Sequence, residues 1–509
     1  MSTYNRVVAA DSSASLAPTV RERLATELAD SASEIGGAAL DTYIPRSEAP
    51  ISAHDPLYGA TGDGATDDTA ALNAWATAVA GKTALLPPGT YLTSTGVSLG
   101  ASTTLHAYGA ALKGTSGTSH TLTVTTGCQV FGLEVNGNKS VKTGGSCVYA
   151  ATASNIILRD LYLHDAFTKG INFASVTDYQ IHGCRIADCT SQGIDLVTSD
   201  RGRIEGNTIN DCAHGIQWWG GDAAVSSTIG FQYITISGNV IRNVVGGGIW
   251  GSLGQFISVT GNVIDTCADV GIDFEGCKDS TATGNTVRNC TNAGLSVFYG
   301  SSHVVFEGNS VRQETTAMGA GFKAFTGTTN THISVIGNDF YSASTNKEAV
   351  STDDQGLSES LISSNNIVTT GFRAVRLLQC HSISVMGNRI SVASDTGITM
   401  EGGSDSHVGN NRIITSVDNS TTASTAGGVI LFWKSSTFPC QRNRVVNNFI
   451  LGFVQGVRDD CWGDNASYNL IEDNGVAVIT HKGDSGYFGV INNNRSPSVP
   501  ATASTITLV

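Results

Sequence analysis

Short apolar runs alternate with polar positions on a two-residue period through the middle of the chain, and a turn cuts each run off after a few residues. The cut recurs. Asn207, Asn239, Asn262, Asn285, Asn309, Asn338 and Asn388 each follow a glycine. Two positions further on stand Ile209, Ile241, Ile264, Val287, Val311 and Ile390, and five further on Cys212, Val244, Cys267 and Cys290. Eight or nine further on, Gly-Ile type strands begin at Gly215, Gly248, Gly271 and Gly294. The steps 239→262 and 262→285 are 23 residues and 285→309 is 24. Period-two alternation predicts strands with one face in and one face out. A fixed repeat of this length, with no room for a typical helix, predicts a solenoid. Three short strands per unit describe one coil of a single-stranded parallel β-helix, an all-β fold.

Stacking sets the next expectations. Coils about 4.8 Å apart bring equivalent side chains into ladders. The Gly-Asn pair suits a left-handed corner, and its amides are expected to bond up and down the stack. Cys189, Cys212, Cys267 and Cys290 share one place in the coil, and Cys184 takes the asparagine's place. Free buried thiols are expected there, because parallel side-chain vectors suit a disulfide poorly. The 11 cysteines include no Cys-x-x-Cys pair, so zinc has no support and neither a metal nor a cofactor is expected.

With Ile216, Ile249, Ile272 and Leu295 pointing inward, residues one and three further along point outward. That stripe runs Asp195, Gln217, Trp219, Trp250, Ser252, Asp273, Glu275, Ser296, Phe298, Lys323, Phe325, Ser351, Asp353, Arg376, Thr399 and Glu401, and Arg458 and Asp460 close it. Only 14% of residues are charged, so a stripe mixing tryptophans, carboxylates and a few cations stands out. It reads either as a glycan-binding face or as a surface lying under loops or in a subunit interface. A net charge of −14 argues against nucleic acid and anionic membrane as partners. No stretch approaches ~18 consecutive apolar residues. The start, Met1 to Arg6, lacks the apolar core of a signal peptide.

The ends differ from the middle. Residues 1–50 lack the repeat; Val20, Leu24 and Leu28 after Pro18 read as an amphipathic helix for attachment, trimerisation or packing. Residues 51–100 hold an entry motif and a second helix, with Leu72, Trp75 and Val79 along one side, suited to plugging the open end of the solenoid. Asp67 and Asp68 stand at its start as caps. The coils run over 101–470, with extra residues after Ile216, Val311 and Ile413. Over 471–509 the pattern decays, and Pro497 and Pro500 mark an extended tail.

The run Tyr58-Gly-Ala-Thr-Gly-Asp-Gly-Ala-Thr-Asp-Asp-Thr-Ala-Ala-Leu72, followed by Leu86-Pro-Pro-Gly-Thr-Tyr91, resembles the opening of the pectate-lyase-like right-handed β-helix superfamily, which is widespread in phage tailspikes and bacterial polysaccharide enzymes. The resemblance implies a tailspike-like homotrimer on a virion tail or outside the cell, with polysaccharide as substrate and other phage tail proteins as partners of the N-terminal region. It stops at the fold. No cluster like the calcium site of pectate lyases is present, nor the Gly-His-Gly of polygalacturonases; Ala213-His214-Gly215 and Asp353-Asp354 match only fragments of the latter pattern.

Glycoside hydrolysis needs two carboxyls roughly 5 to 9.5 Å apart. Asp273 and Glu275 lie two apart on one strand, roughly 7 Å at the backbone. Glu275 is the expected acid and Asp273 the base or nucleophile, with Asp353 and Glu401 a second, wider pair. Trp219, Trp250 and Phe298 are expected to stack on sugar, and Lys323 and Arg376 to hold an acidic one. A lyase, epimerase or fructan-transferase reading uses the same stripe, and so does a non-catalytic adhesin or structural tail protein.

Overall fold

The computed structural model describes residues 50–393, 395–415, 426–434, 439–453, 455–461, 469–476, 478–481, 490–492 and 505–508. The predicted helix around Val20, Leu24 and Leu28 and the prolines at 497 and 500 lie outside them. What is described is a right-handed parallel β-helix with a single short helix. One coil comprises Val270–Glu275, Lys278–Thr283 and Thr286–Cys290, and the next repeats it as Ala293–Phe298, Ser302–Glu307 and Ser310–Gln313. These are three walls. The first two join into one 36-stranded sheet and the third forms a 16-stranded sheet, so strands wind around a common interior. Pairing is parallel and in register, with Ile272 beside Leu295 and Cys267 beside Cys290.

The interior is apolar and layered. Trp218, Phe274, Phe306 and Phe322 are fully buried, and their rings follow one another at centroid separations of 5.8, 5.7 and 5.4 Å. Tilted and edge-on contacts of this kind suit aromatic quadrupoles better than face-to-face stacks. All eleven cysteines are buried free thiols.

One corner is polar yet buried, and the asparagines explain how. Asn262 donates its Nδ2 to the Ile236 carbonyl of the preceding coil and to Asn285 Oδ1 of the following one, each at 3.0 Å. Its own Oδ1 accepts from the backbone N–H and the Nδ2 of Asn239, each at 2.9 Å. The ladder starts where the Cys184 N–H donates to Asn207 Oδ1 and continues to Asn474. It also contains Asn365, Asn411, Asn448 and Asn474, which no glycine precedes. The residue before each rung is left-handed, as at Gly284 (φ 64°), and Ser364, Asn410, Asn447 and Asp473 adopt that conformation at 54–58°. Asparagine and aspartate tolerate it better than most side chains, so a search for Gly-Asn alone passes over these rungs.

The helix Thr69–Ala78 continues the core at the N-terminal end. Leu72, Trp75 and Val79 are buried, and Trp75 Nε1 donates to the Ile51 carbonyl at 2.9 Å. The two aspartates at its start divide the work. Asp67 accepts the Thr69 N–H at 3.0 Å, whereas buried Asp68 reaches back to the N–H groups of Thr61 (2.7 Å) and Gly62 (3.1 Å). Asp68 thus staples the entry turn rather than capping the helix. At the other end pairing runs past residue 470: Val478–His481 and Thr505–Leu508 pair in parallel. No helix among the described residues is long and apolar enough to cross a membrane.

Candidate functional site

The outward stripe lies on the first wall, and register holds it in line. Trp250 pairs with Asp273, Asp273 with Ser296, Ser296 with Lys323, Lys323 with Ser351, Ser351 with Arg376 and Arg376 with Thr399. Beside it a second column places Trp219 next to Ser252, Ser252 next to Glu275 and Glu275 next to Phe298. The predicted residues therefore share one wall but form two groups.

The first group is built on Asp273 and Glu275. Asp273 is buried, and the Ser296 hydroxyl donates to its Oδ1 at 2.7 Å. Burial pushes the Asp273 carboxyl up to about 6, although the Ser296 hydrogen bond opposes the rise. Glu275 is half-buried and is pushed up to about 8, first by burial and then by the negative charges of Asp273, Asp269 and Asp222. Trp250 lies one coil from Asp273 and Phe298 one coil from Glu275. Trp219 meets Trp250 edge-on at 6.1 Å, Trp250 tilts against His214 at 5.3 Å, and Phe298 stacks on Tyr299 at 3.7 Å. The insertion after Ile216 is tied over this region: the Ser252 hydroxyl donates to the Gly221 carbonyl at 2.6 Å, and Asp222 of the same loop adds its charge to Glu275.

The second group lies further along the axis, and its charges are paired. Lys323 Nζ is 3.1 Å from Asp353 Oδ1. Arg376 forks onto Glu401 through Nε (2.8 Å) and Nη2 (2.9 Å), and Arg373 joins at 3.4 Å. Burial alone would raise the Glu401 carboxyl, but the two arginines outweigh it and hold the group below its ordinary value. Asp353 and Glu401 stand two coils apart, about 10 Å at the usual strand spacing, and neither joins Asp273 and Glu275. At the stripe's other end Lys169 pairs with buried Asp195. Lys169, Asp222 and Asp269 enter the site from turns and loops, where the two-residue period gives no signal.

Two family models match parts of the chain. One, described as rhamnogalacturonase A/epimerase, pectate lyase-like, matches residues 56–139. The fold is that of the pectate-lyase-like β-helices. The other, described as periplasmic copper-binding protein (NosD), matches residues 150–358. Among the described residues no group of three or more His, Cys, Asp or Glu side chains stands where it could hold a metal ion. No curated protein matches the chain. Among solved structures, the N-terminal fragment of bacteriophage Phi29 gene product 12 is 14% identical, with 92% of this chain and 94% of that one covered and a TM-score of 0.49. Tailspike protein 3 of bacteriophage CBA120 is 12% identical, with 85% and 69% covered and a TM-score of 0.44. A mannuronan C-5 epimerase A-module from Azotobacter vinelandii is 15% identical, with 88% and 100% covered and a TM-score of 0.40. Likeness of this depth says nothing about what a chain binds.

Proposed function

We propose that the protein binds a bacterial surface polysaccharide and cleaves it by glycoside hydrolysis, in the manner of a tailspike depolymerase. The observation that carries the reading is the strand Val270–Glu275, which sets a buried carboxyl, Asp273, and a half-buried one, Glu275, on the same face, within reach of each other. Burial and mutual repulsion raise both carboxyls, so the pair holds on to a proton well above the ordinary carboxylate range, and that proton is assigned to the less buried Glu275. Glu275 donates that proton to the glycosidic oxygen as the bond to the anomeric carbon breaks. Asp273 either takes a proton from the attacking water or attacks the anomeric carbon itself. Their backbones are roughly 7 Å apart, and their carboxyls hydrogen-bond to one another. Trp219, Trp250 and Phe298 offer apolar ring surface to the sugar.

Hydrolysis is favoured over elimination or epimerisation of a uronate because the two cations such a substrate needs are already engaged, Lys323 by Asp353 and Arg376 by Glu401. On this reading the protein is a homotrimer on a virion tail, its first 50 residues facing other tail proteins.

The test is reducing-end release from a panel of bacterial surface polysaccharides, with particle mass followed by light scattering. The wild-type protein releases reducing ends, and Glu275→Gln and Asp273→Asn each lower the rate by about 100- to 10,000-fold. Full activity in Glu275→Gln removes the assigned acid. Ultraviolet-absorbing unsaturated products would replace hydrolysis with elimination, and a mass of one chain would remove the trimer.

A further inference from the structure

A half-open pocket of about 250 Å³ lies at the corner between the first and second walls, over the coils that follow Asp353. Its origin is local. The residue that turns this corner is left-handed, and in two coils it is glycine, Gly276 (φ 59°) and Gly402 (φ 67°). In the two coils before Gly402 the same turn is made by Gln355 (φ 58°) and Gln379 (φ 52°), which pair through Gln355 N–H to the Leu378 carbonyl and Gln379 N–H to the Glu401 carbonyl. Glutamine is disfavoured in that conformation and gains nothing as a turn former. The two long side chains therefore wall a space that the missing side chain at Gly402 leaves open.

The lining is chemically mixed in a particular way. Gln355, Gln379 and His381 line the pocket; Gln355 and His381 are exposed and Gln379 is half-buried, and no hydrogen bond among the described residues engages their side chains. Leu357 and Cys380 give it an apolar floor. Asp405 contributes its carboxylate already forked onto Arg442, at 2.6 and 2.7 Å, which balances the charge. Two planar amides and an imidazole supply both donors and acceptors, an apolar patch lies beneath them, and no charge is left unpaired. That set complements an uncharged polyol ring, with hydroxyls at its rim and C–H groups on its face. It does not suit an anion, because the Arg442 guanidinium beside it is occupied by Asp405.

We propose that this cavity is a binding pocket for one neutral pyranose unit, a second carbohydrate site about 20 Å along the axis from Glu275, four coils at ~4.8 Å each. The proposal rests on the polysaccharide reading for its ligand class, and its chemistry is independent of the carboxyl pair. A glycan chain lying along the wall would then be anchored at the cavity and cut at the strand Val270–Glu275.

The test is saturation-transfer NMR on the full chain with D-glucose, D-galactose, D-mannose and N-acetyl-D-glucosamine, each added alone. At least one sugar gives a signal with the wild-type protein. In Gln355→Gly/Gln379→Gly binding weakens by about tenfold or more, as expected for two lost hydrogen bonds. Glycine adopts both left-handed positions freely, so the coil keeps its turn, and an unchanged thermal midpoint verifies this. Glu275→Gln keeps the sugar signal while losing cleavage, which separates the two sites. No signal from any of the four sugars with the wild-type protein, or an equal signal in the double variant, overturns the proposal. Sugar binding without polysaccharide cleavage leaves the pocket standing and removes the hydrolase reading.

Discussion

At the scale of single residues, Asp273 and Glu275 depart furthest from ordinary carboxylates, and the departure costs stability in a direction that can be worked out. In the unfolded chain Glu275 ionises near its ordinary value of 4.5, and in the folded chain near about 8. Between those values the folded state holds a proton that the unfolded state has lost. Unfolding free energy therefore falls as pH rises across this window, and Asp273 adds the same slope between 3.8 and about 6. Urea midpoints recorded from pH 5 to 8.5 should decline for the wild-type protein and decline less for Glu275→Gln, which has no charge to bury. Parallel curves would mean that Glu275 is solvated and is no proton donor at neutral pH. Glu401 behaves in the opposite way: its paired charge favours folding above its ordinary value, and that contribution is lost as the solution is acidified.

At the scale of the element, the asparagine ladder is the device to test. Replacing Asn285 with Ala removes the Oδ1 that accepts from the Asn262 N–H and Nδ2, at 2.9 and 3.0 Å, and the Nδ2 that serves the Val259 carbonyl and Asn309 Oδ1, at 3.0 and 2.9 Å. The partners left behind, Asn262 and Asn309 among them, are buried. A loss of about 2–4 kcal/mol is expected from unsatisfied groups at 1–3 kcal/mol each, read from urea unfolding followed by circular dichroism. Gly284→Ala, which strains one left-handed residue and breaks no bond, should cost about 1 kcal/mol. Equal losses would mean that the ladder only turns the corner.

This element also shows what the sequence made legible. Gly-Asn and the aliphatic residue two positions later were enough to fix register, and register alone lined up Trp250, Asp273 and Lys323. It passed over Asn365 and Asn411, because the physical requirement is a left-handed residue and serine or asparagine meets it too. It also placed Asp353 and Glu401 on the correct wall without revealing that Lys323 and Arg376 neutralise them, since that depends on rotamers reaching between coils. The loop residue Asp222 was invisible for a related reason: its sequence distance from Glu275 is erased only when an insertion folds back over the wall, whereas Asp269 sits in the turn just before the strand, where the two-residue period gives no signal.

At the scale of the whole molecule, each coil rests on the coil before and the coil after, so stability is a sum of coil terms and interfaces between neighbours. A solenoid of this length unfolds as one body only while every interface is strong. Phe306 bridges the middle of the core, with Phe274 on one side and Phe322 on the other, at 5.7 and 5.4 Å. Phe306→Ala removes both contacts and opens a cavity, at a cost of about 3–5 kcal/mol. In a globular core that cost lowers one transition. Here it falls on one interface between two stacks of coils, so the stacks should separate thermally. Scanning calorimetry should show the wild-type transition split or broaden in Phe306→Ala, with the van't Hoff enthalpy falling below the calorimetric one. Leu105→Ala, near the capped N-terminal end, leaves one long stack beyond it and should lower the midpoint without splitting the transition. If both variants shift a single sharp transition alike, cooperativity is global, and the rigidity that holds the corner cavity four coils from Glu275 comes from contacts other than the nearest-neighbour stack.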